Sequence, residues 1–143
     1  MTLDRRVVRY QPWHHDWVMK HAPNGGALMD LPLELRKQIA GQNTWTAVVD
    51  GDPVACAGTV EHWPGRHLAW AYMTPGTRAH MRWITEAVQE NLATVKGRIE
   101  VAVKADYLPG HKWARILGFE VEAPLMRQWG PDGADYTGYV RIN

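Results

Sequence analysis

The most constraining feature of the sequence is a helix-like stretch that follows one strand-like stretch and precedes another. Between Met81 and Val95 apolar residues recur three or four positions apart, which is typical of a helix with one buried face. The run from Ile99 to Val103 then alternates apolar and polar residues, as a strand does. Because "HLAWAYM" precedes the helix and also favours a strand, the unit predicts a parallel pair with a right-handed crossover.

Antiparallel strands are predicted around this unit. Asp50-Gly51 lies between two β-favouring runs, which is a strong short signal for a hairpin, and "WPGRH" and "GPDG" mark two further turns. The strand before the long helix should present two faces, because side chains alternate along a strand. The predicted faces are Leu68, Trp70 and Tyr72 on one side and Ala69, Ala71 and Met73 on the other.

The remaining segments complete the order of elements. "RRVVRYQP" predicts an edge strand, and a short helix with Trp13 and Trp17 on one side follows it. "LPLELRKQIAGQN" predicts a second helix, and the stretch from Pro109 to Leu117 predicts a late helix that stops at a left-handed Gly118. The order predicts a single α+β (mixed αβ) domain over residues 1–143, with about four helices and a mixed, mostly antiparallel sheet of about six or seven strands. Strands four and five form its parallel pair.

Composition limits the class of protein. The formal net charge is +1, and the two signs are interspersed, so nucleic acid is not an expected partner. No apolar run approaches the roughly 18 residues of a membrane span, and the start has no signal-like stretch, so a cytoplasmic protein without a membrane partner is expected. The single cysteine, Cys56, is expected to be a small core residue. The histidines near the start match no metal-binding motif, and no metal is predicted.

Two local patterns carry a resemblance to a known superfamily. "MTPGTRAHMRW" is similar to the Val-x-Pro-x-x-Arg-Gly-x-Gly-x-Gly/Ala pattern of the GNAT N-acyltransferases, with Pro75 and Arg78 matching. The three small positions of that pattern hold Ala79, Met81 and Trp83 here. "WARILGF" resembles the family's "LYEKLGF", and the order of elements is also that of the superfamily.

The resemblance extends to a narrower group. "GHKWARILGFE" followed by "GPDG…Y…R" looks like the GNAT-like proteins of tailed phages, some of which are acetyltransferases and others internal virion components. That likeness implies two settings for the chain, the host cytoplasm and the virion, and it adds a phage or host protein to the possible partners.

The GNAT resemblance implies a site for acetyl-CoA at the end of the fourth strand. Backbone N–H groups at a helix N-terminus favour the pyrophosphate, and a strand N–H can hold the thioester carbonyl. The first role falls to the stretch that starts the predicted long helix, and the second to the last residues of the strand. The implied cofactor-binding residues are Ala71, Tyr72, Met73, Arg78, Ala79, His80, Met81, Arg82 and Trp83.

The resemblance also implies a proton acceptor for the amine and a proton donor for the leaving thiol. Glu61, or a neighbouring His, is a candidate base at the turn between the third and fourth strands. The family's Tyr donor aligns with Ala114, which has no proton to give. Tyr107 and His111 are the candidate replacements, and the tyrosines of the last hairpin, Tyr136 and Tyr139, are further ones.

Two functions follow from these observations. The first is an acetyl-CoA-dependent N-acetyltransferase of the GNAT type, with a primary amine of a small molecule or a protein as the acceptor. The second is a GNAT-fold protein that has lost catalysis and serves as a virion or host-interaction component. The substituted glycines and Ala114 favour the second, whereas Pro75, Gly118 and Phe119 fit either.

Overall fold

The computed structural model describes residues 3–21 and 43–143. The predicted "NGG" break and the predicted helix around "LPLELRKQIAGQN" lie outside these residues, apart from the final Asn43. The described elements are β1 (Arg5–Arg9), α1 (Pro12–His21), β2 (Thr44–Val49), β3 (Asp52–Trp63), β4 (Arg66–Met73), a 3-10 helix (Pro75–His80), α2 (Met81–Thr94), β5 (Arg98–Lys104), α3 (Leu108–Ile116), β6 (Glu120–Met126) and β7 (Tyr136–Ile142).

The strands form one seven-stranded sheet in the order β1-β2-β3-β4-β5-β7-β6. All neighbours are antiparallel except β4 and β5, which form the predicted parallel pair. The predicted edge strand is confirmed, because β1 lies at one border of the sheet. The mixed α+β class inferred from the sequence is therefore confirmed. None of the described helices is long and apolar enough to cross a membrane.

One face of the sheet packs against α2 and α3. The predicted stripe of α2 is confirmed, since Ile84, Val88 and Leu92 are buried in the larger core. On β4 the small Ala69 and Ala71 face this helix, so α2 can approach the sheet closely. Burial of apolar area of this kind supplies the main favourable free energy of folding.

The opposite face of β4 packs under α1. Trp70 and Tyr72 are buried there with Tyr10 and Val18, in a smaller core whose rings meet at tilted or edge-on angles. The predicted division of β4 into two faces is confirmed. Cys56 lies in the same core with no exposed surface, and burial raises the pKa of its thiol to about 12. It is the small core residue that its sequence context predicts.

Two turns confirm the local predictions. Asp50 and Gly51 have φ of 50° and 87°, so both occupy the left-handed region that a tight two-residue hairpin requires. Gly118 has φ of 87° and ends α3 in the predicted left-handed conformation.

The connection between β4 and α2 differs from the prediction. The sequence suggests that Arg78 lies in the first turn of the long helix. Instead, Pro75–His80 form a 3-10 helix, and α2 begins at Met81. Pro75 fixes φ at the first helical position, and Thr77 donates both its N–H and its hydroxyl to the carbonyl of Thr74, at 3.1 and 2.9 Å. These short-range bonds tighten the chain into i→i+3 geometry.

His14 caps α1 in a way that depends on its charge. Its Nδ1 accepts a hydrogen bond from the N–H of Gln11 at 3.0 Å and lies 2.8 Å from the hydroxyl of Thr46. The Gln11 bond is that of a capping box, in which a side chain reaches back to the backbone before the helix. Burial lowers the pKa of His14 from its ordinary 6.5, so the folded chain holds the ring neutral.

We expect His14 to make stability fall in acid. Because the folded pKa is lowered, the unfolded chain takes up a proton that the folded chain refuses as pH drops below about 6.5. His14→Gln keeps an uncharged acceptor at this position and should lose less free energy of unfolding between pH 8 and pH 5.5 than the wild type does. Urea unfolding of both proteins at the two pH values measures the difference. Equal losses would contradict the assignment.

Candidate active site

The sheet opens between its two parallel strands. β4 and β5 are paired only at Arg66–Arg98, His67–Ile99 and Leu68–Glu100, although β4 continues to Met73 and β5 to Lys104. Because the strands are parallel, their carboxyl ends lie at the same edge of the sheet. The register therefore ends at Leu68 and Glu100, and a cleft begins there between the two strands.

The predicted cofactor-binding residues all lie at the open end of this cleft. Ala71, Tyr72 and Met73 are the last residues of β4. Arg78, Ala79 and His80 belong to the 3-10 helix that follows, and Met81, Arg82 and Trp83 form the first turn of α2. The structure thus brings the nine residues together, and their role as cofactor ligands stays a prediction.

The bulky side chains at this end pack partly against the core. Met81 and Trp83 stand where the family has glycines, but both pack partly against the core, and the ring of Trp83 lies 5.8 Å from the guanidinium of Arg5. Arg78 is exposed. The Nδ1 of His80 is buried without a hydrogen-bond partner among the described residues. A buried polar atom without a hydrogen bond destabilises the fold, and a bound ligand or a water molecule would supply the missing partner of this nitrogen.

A groove between α2 and α3 continues from the same end. It has a volume of about 540 Å³, and its walls include Met81, Trp113, Arg82 and Lys112. Arg82 is paired with Glu86 along the helix at 3.3 Å. Lys112 cannot be recognised from the sequence, because α3 meets α2 only in the folded chain. Glu86 also lines the groove and offsets the charge of Arg82, so the net positive charge comes from Lys112. One net cation beside an apolar groove suits a phosphorylated ligand that also carries a flat, apolar group.

His111 links α3 to β5 and β7 on the β5 side of the cleft. Its Nε2 lies 2.9 Å from the carbonyl oxygen of Ala105 and 3.1 Å from that of Lys104, so this nitrogen carries the proton. Its Nδ1 lies 2.6 Å from the hydroxyl of Tyr139, which donates when the ring is neutral. The three bonds tie α3 to the end of β5 and to Tyr139 in the middle of β7.

Tyr107 stands beside His111 at the start of α3. It is 38% exposed, and its hydroxyl has no hydrogen-bond partner within the described part of the chain. Its ring packs over Gly110, where an added Cβ would come within 2.7 Å of the ring. The hydroxyl is therefore available to a ligand.

Glu61 lies far from these residues. It pairs with His67 at the start of β4, where the two side chains approach to 3.8 Å. His67 is opposite Ile99, whereas His111 bonds the carbonyl of Lys104 at the other end of β5. Five residues of strand separate the two positions, which is about 16 Å. Glu61 and His111 therefore cannot act on one reacting atom in this arrangement.

A second set of charged residues lies where the register ends. Glu100 accepts hydrogen bonds from the Nε of Arg66 at 2.8 Å and from the Nε of Arg98 at 2.9 Å. Arg98 also holds Glu122 with both of its terminal nitrogens. These four residues border a cavity of about 320 Å³ on the sheet face opposite α2 and α3. No spacing in the sequence marks this cluster, because its members come from β4, β5 and β6.

The charges in this cluster hold one another ionised. Burial by itself raises the pKa of Glu100, but the hydrogen bonds from Arg66 and Arg98 outweigh it, and the net shift is downward. The hydrogen bond from Arg98 lowers the pKa of Glu122. The pKa of Arg98 is raised by its bonds to Glu122 and Glu100. Both carboxylates are therefore ionised at neutral pH.

Comparison with known proteins identifies the fold. No family model and no curated protein matches the sequence. Ard1 from Thermoplasma volcanium superposes with a TM-score of 0.76 at 11% identity, over 96% of this chain and 97% of that one. A GNAT-family acetyltransferase from Bacillus anthracis gives 0.66 at 13% identity, over 96% and 94%. RimL, a ribosomal L7/L12 alpha-N-protein acetyltransferase in complex with coenzyme A, gives 0.71 at 14% identity, over 96% and 93%. At such identities the likeness shows the GNAT fold alone.

Ala114, which aligns with the tyrosine of the GNAT pattern, is fully buried. Ala114 has no exposed surface and packs in the core with Leu117 and Phe119. We expect Ala114→Tyr to destabilise the chain by about 1–3 kcal/mol, because a well-packed core does not admit a ring without strain. Arg115→Tyr, at the exposed neighbouring position, should change stability by less than about 0.5 kcal/mol. Urea unfolding of both variants tests this, and equal stabilities would show that the Ala114 site can open.

Proposed function

We propose that the chain is an acetyl-CoA-dependent N-acetyltransferase of the GNAT type that acts on a primary amine of a small molecule or a protein. The observation that carries the proposal is the cleft, because the sheet separates between β4 and β5 beyond Leu68 and Glu100. The same fold occurs in acetyltransferases, one of them in complex with coenzyme A. Acetyl-CoA would supply the acetyl group as a thioester.

The open end of the cleft would hold the cofactor. Arg78 and Arg82 offer positive charge beside the start of α2, and the unpartnered Nδ1 of His80 offers a further polar contact. Lys112, across the groove, would add a second cationic wall for a phosphate. Ala71, Tyr72 and Met73 would line the strand side of the cleft and orient the thioester.

The leaving thiol needs a proton, and two residues at the start of α3, beside the end of β5, would manage it. Tyr107 would donate, since its hydroxyl is exposed and unengaged among the described residues. His111 would hold α3 in place through its bonds to β5 and Tyr139. Glu61 is too remote to share this site, so in this proposal it has no part in the proton transfer.

The second candidate function is that of a non-catalytic protein with the same fold. The buried Ala114 and the 3-10 helix that replaces a glycine-rich loop favour it, because both change groups on which the family depends. In this form the chain would be an interaction component, and a phage or host partner remains a prediction of the sequence. Affinity for acetyl-CoA separates the two functions.

Calorimetric titration of the full chain with acetyl-CoA and with CoA tests the cofactor site. We expect binding in the micromolar range. Arg78→Glu should weaken it by roughly tenfold or more, since a charged hydrogen bond to phosphate is lost and repulsion replaces it. Lys96→Glu makes the same change of charge near the far end of α2 and should leave the affinity unchanged. No binding at millimolar acetyl-CoA would favour the second function.

The proton donor is tested by Tyr107→Phe. We expect the rate of CoA release, with a short peptide bearing an unblocked N-terminus as the acceptor, to fall by roughly 10²-fold, as for loss of one general acid. The affinity for acetyl-CoA should not change. A thiol reagent can follow the release, because the only cysteine of the chain, Cys56, is buried. An unchanged rate would remove Tyr107 from the mechanism.

A further inference from the structure

β1 forms one border of the sheet, and none of the described strands lies beyond it. It is five residues long and reads RRVVR, and all of its residues except Val8 are exposed. A border strand leaves a row of backbone N–H and C=O groups with which another strand can pair. β1 is therefore a surface to which an extended segment could add.

The ladder between β1 and β2 shows which residues of β1 turn their backbone outwards. Directly before β1, the carbonyl of Asp4 accepts the N–H of Asp50 at 2.8 Å, so the backbone of Asp4 faces β2. Along an antiparallel strand, residues that bond the neighbour alternate with residues that point away from it. The backbone N–H and C=O groups of Arg5, Val7 and Arg9 therefore point away from β2, towards the open border.

The side chains of the same three residues share one face of the sheet, the face that carries α2. Their partners in the β1–β2 register lie in the larger core or pack against it, and are Val49, Ala47 and Trp45. The guanidinium of Arg5 lies 5.8 Å from the centre of the Trp83 ring, in the first turn of α2. Val7 is 50% exposed. An incoming strand would thus meet an arginine, a valine and a second arginine at alternate positions.

The charges of β1 and β2 on this face are all positive. β2 has no charged residue, so the two strands place two cations on this face and no carboxylate. Asp4 belongs to the opposite face, where it pairs with Arg6 at 3.0 Å. Acidic side chains opposite Arg5 and Arg9 would be attracted, and each such pair across two strands should raise affinity by about two- to fivefold.

The same arginines oppose pairing between two copies of β1. In an antiparallel pair centred on Val7, Arg5 of one copy would lie opposite Arg9 of the other, and like charges across a strand pair are destabilising. Charged residues on a border strand are a usual defence against such association. Because the same charges attract an acidic strand, they make the border selective for one kind of partner.

The spacing of these residues defines the chemistry of that partner. Side chains on one face of a strand are two residues apart, so the partner needs an acidic, an apolar and a second acidic residue at alternate positions. The apolar residue would cover Val7, and the two acidic residues would lie opposite the arginines. This pattern reads the same in both directions, so it suits a parallel or an antiparallel strand.

We propose that β1 is a docking edge for an extended segment of another protein, with the pattern acidic-x-apolar-x-acidic, which adds as an eighth strand beside the seven described ones. The outward N–H and C=O groups of Arg5, Val7 and Arg9 form the new ladder, and the side chains select the partner. The inference does not use the cleft between β4 and β5, so it holds whether or not the chain is an acetyltransferase.

Fluorescence anisotropy of labelled peptides with the full chain tests the proposal, at low salt where exposed charges are least screened. The probe is Thr-Glu-Thr-Val-Thr-Glu-Thr with blocked ends, which leave no amine to acetylate. One control replaces both glutamates by glutamine. The other rearranges the same residues to Thr-Thr-Glu-Val-Glu-Thr-Thr, so that the acids and the valine lie on opposite faces of a strand. We expect the probe to bind at least about fivefold more tightly than either control.

Four variants locate the binding. Val7→Pro removes the central outward N–H and keeps the fold, because proline is tolerated where the N–H of a border strand faces solvent. It should weaken binding of the probe by at least about fivefold, whereas Val7→Ile keeps the N–H and should change the affinity by less than about twofold. Arg9→Gln should weaken binding by about two- to fivefold. Arg6→Gln makes the same change on the opposite face and should have no effect.

Amide hydrogen exchange shows whether the probe pairs with the backbone. Addition of the probe should slow exchange at the outward amides of Arg5, Val7 and Arg9 more than at those of Arg6 and Val8, which already face β2. This measurement uses the wild type, so it decides the proposal even if Val7→Pro proves too unstable to assay.

Several results would overturn the proposal. Equal affinity for the rearranged peptide would show attraction by charge alone, and no binding at millimolar probe would show that the edge does not dock this pattern. Unchanged exchange at the outward amides, or binding that survives in a folded Val7→Pro variant, would place the peptide elsewhere. Self-association of the wild type that Val7→Pro abolishes, measured by sedimentation, would make a second copy the occupant. Thermal unfolding of every variant confirms that it folds.

Discussion

The short register between β4 and β5 is the constraint on which the rest of the structure depends. It is fixed at its start, where the N–H of Arg98 donates to the carbonyl of Gly65 at 2.8 Å and Gly97 packs so closely that a Cβ would come within 2.6 Å of the same oxygen. Glu100 then bridges the two arginines that the register places opposite each other. Without that carboxylate, like charges would face each other across the pair and oppose it.

What happens beyond the register follows from the elements on either side. β4 is drawn into the 3-10 helix, where Thr74 and Thr77 hold the chain in a tight turn. β5 is held towards β7 along its whole length, and His111 fixes its end. The two strands are thus anchored to different neighbours, and the gap between them is built into the sheet.

Most of the fold could be predicted because its signals are local. Asp50 and Gly51 meet the backbone demands of a tight hairpin by themselves, and the alternation in β4 needs only the period of a strand. The 3-10 helix is not predictable in this way, because Pro75 and Gly76 suit several turns and the deciding bonds run from Thr77 to Thr74. The candidate site is harder to predict from the sequence than the fold is. The place of Glu61 beside a turn suits a base, but only the register shows that this turn lies at the closed end of the cleft. Glu100, Arg98 and Glu122 come from separate strands, so no spacing in the sequence marks them.

Packing explains why alanine stands at the position that aligns with the GNAT tyrosine. Ala114 fills a core position beside Leu117, so a ring there would compete with the contacts that seat α3 on the sheet. A thiolate is a better leaving group than an alkoxide, so its proton can come from a residue at the rim of the cleft. Tyr107 lies at that rim, and its ring packs against Gly110. Its hydroxyl makes no hydrogen bond to the described residues. In the proposed reaction the core contacts of Ala114 and Leu117 hold α3 on the sheet, and Tyr107 at the rim supplies the proton.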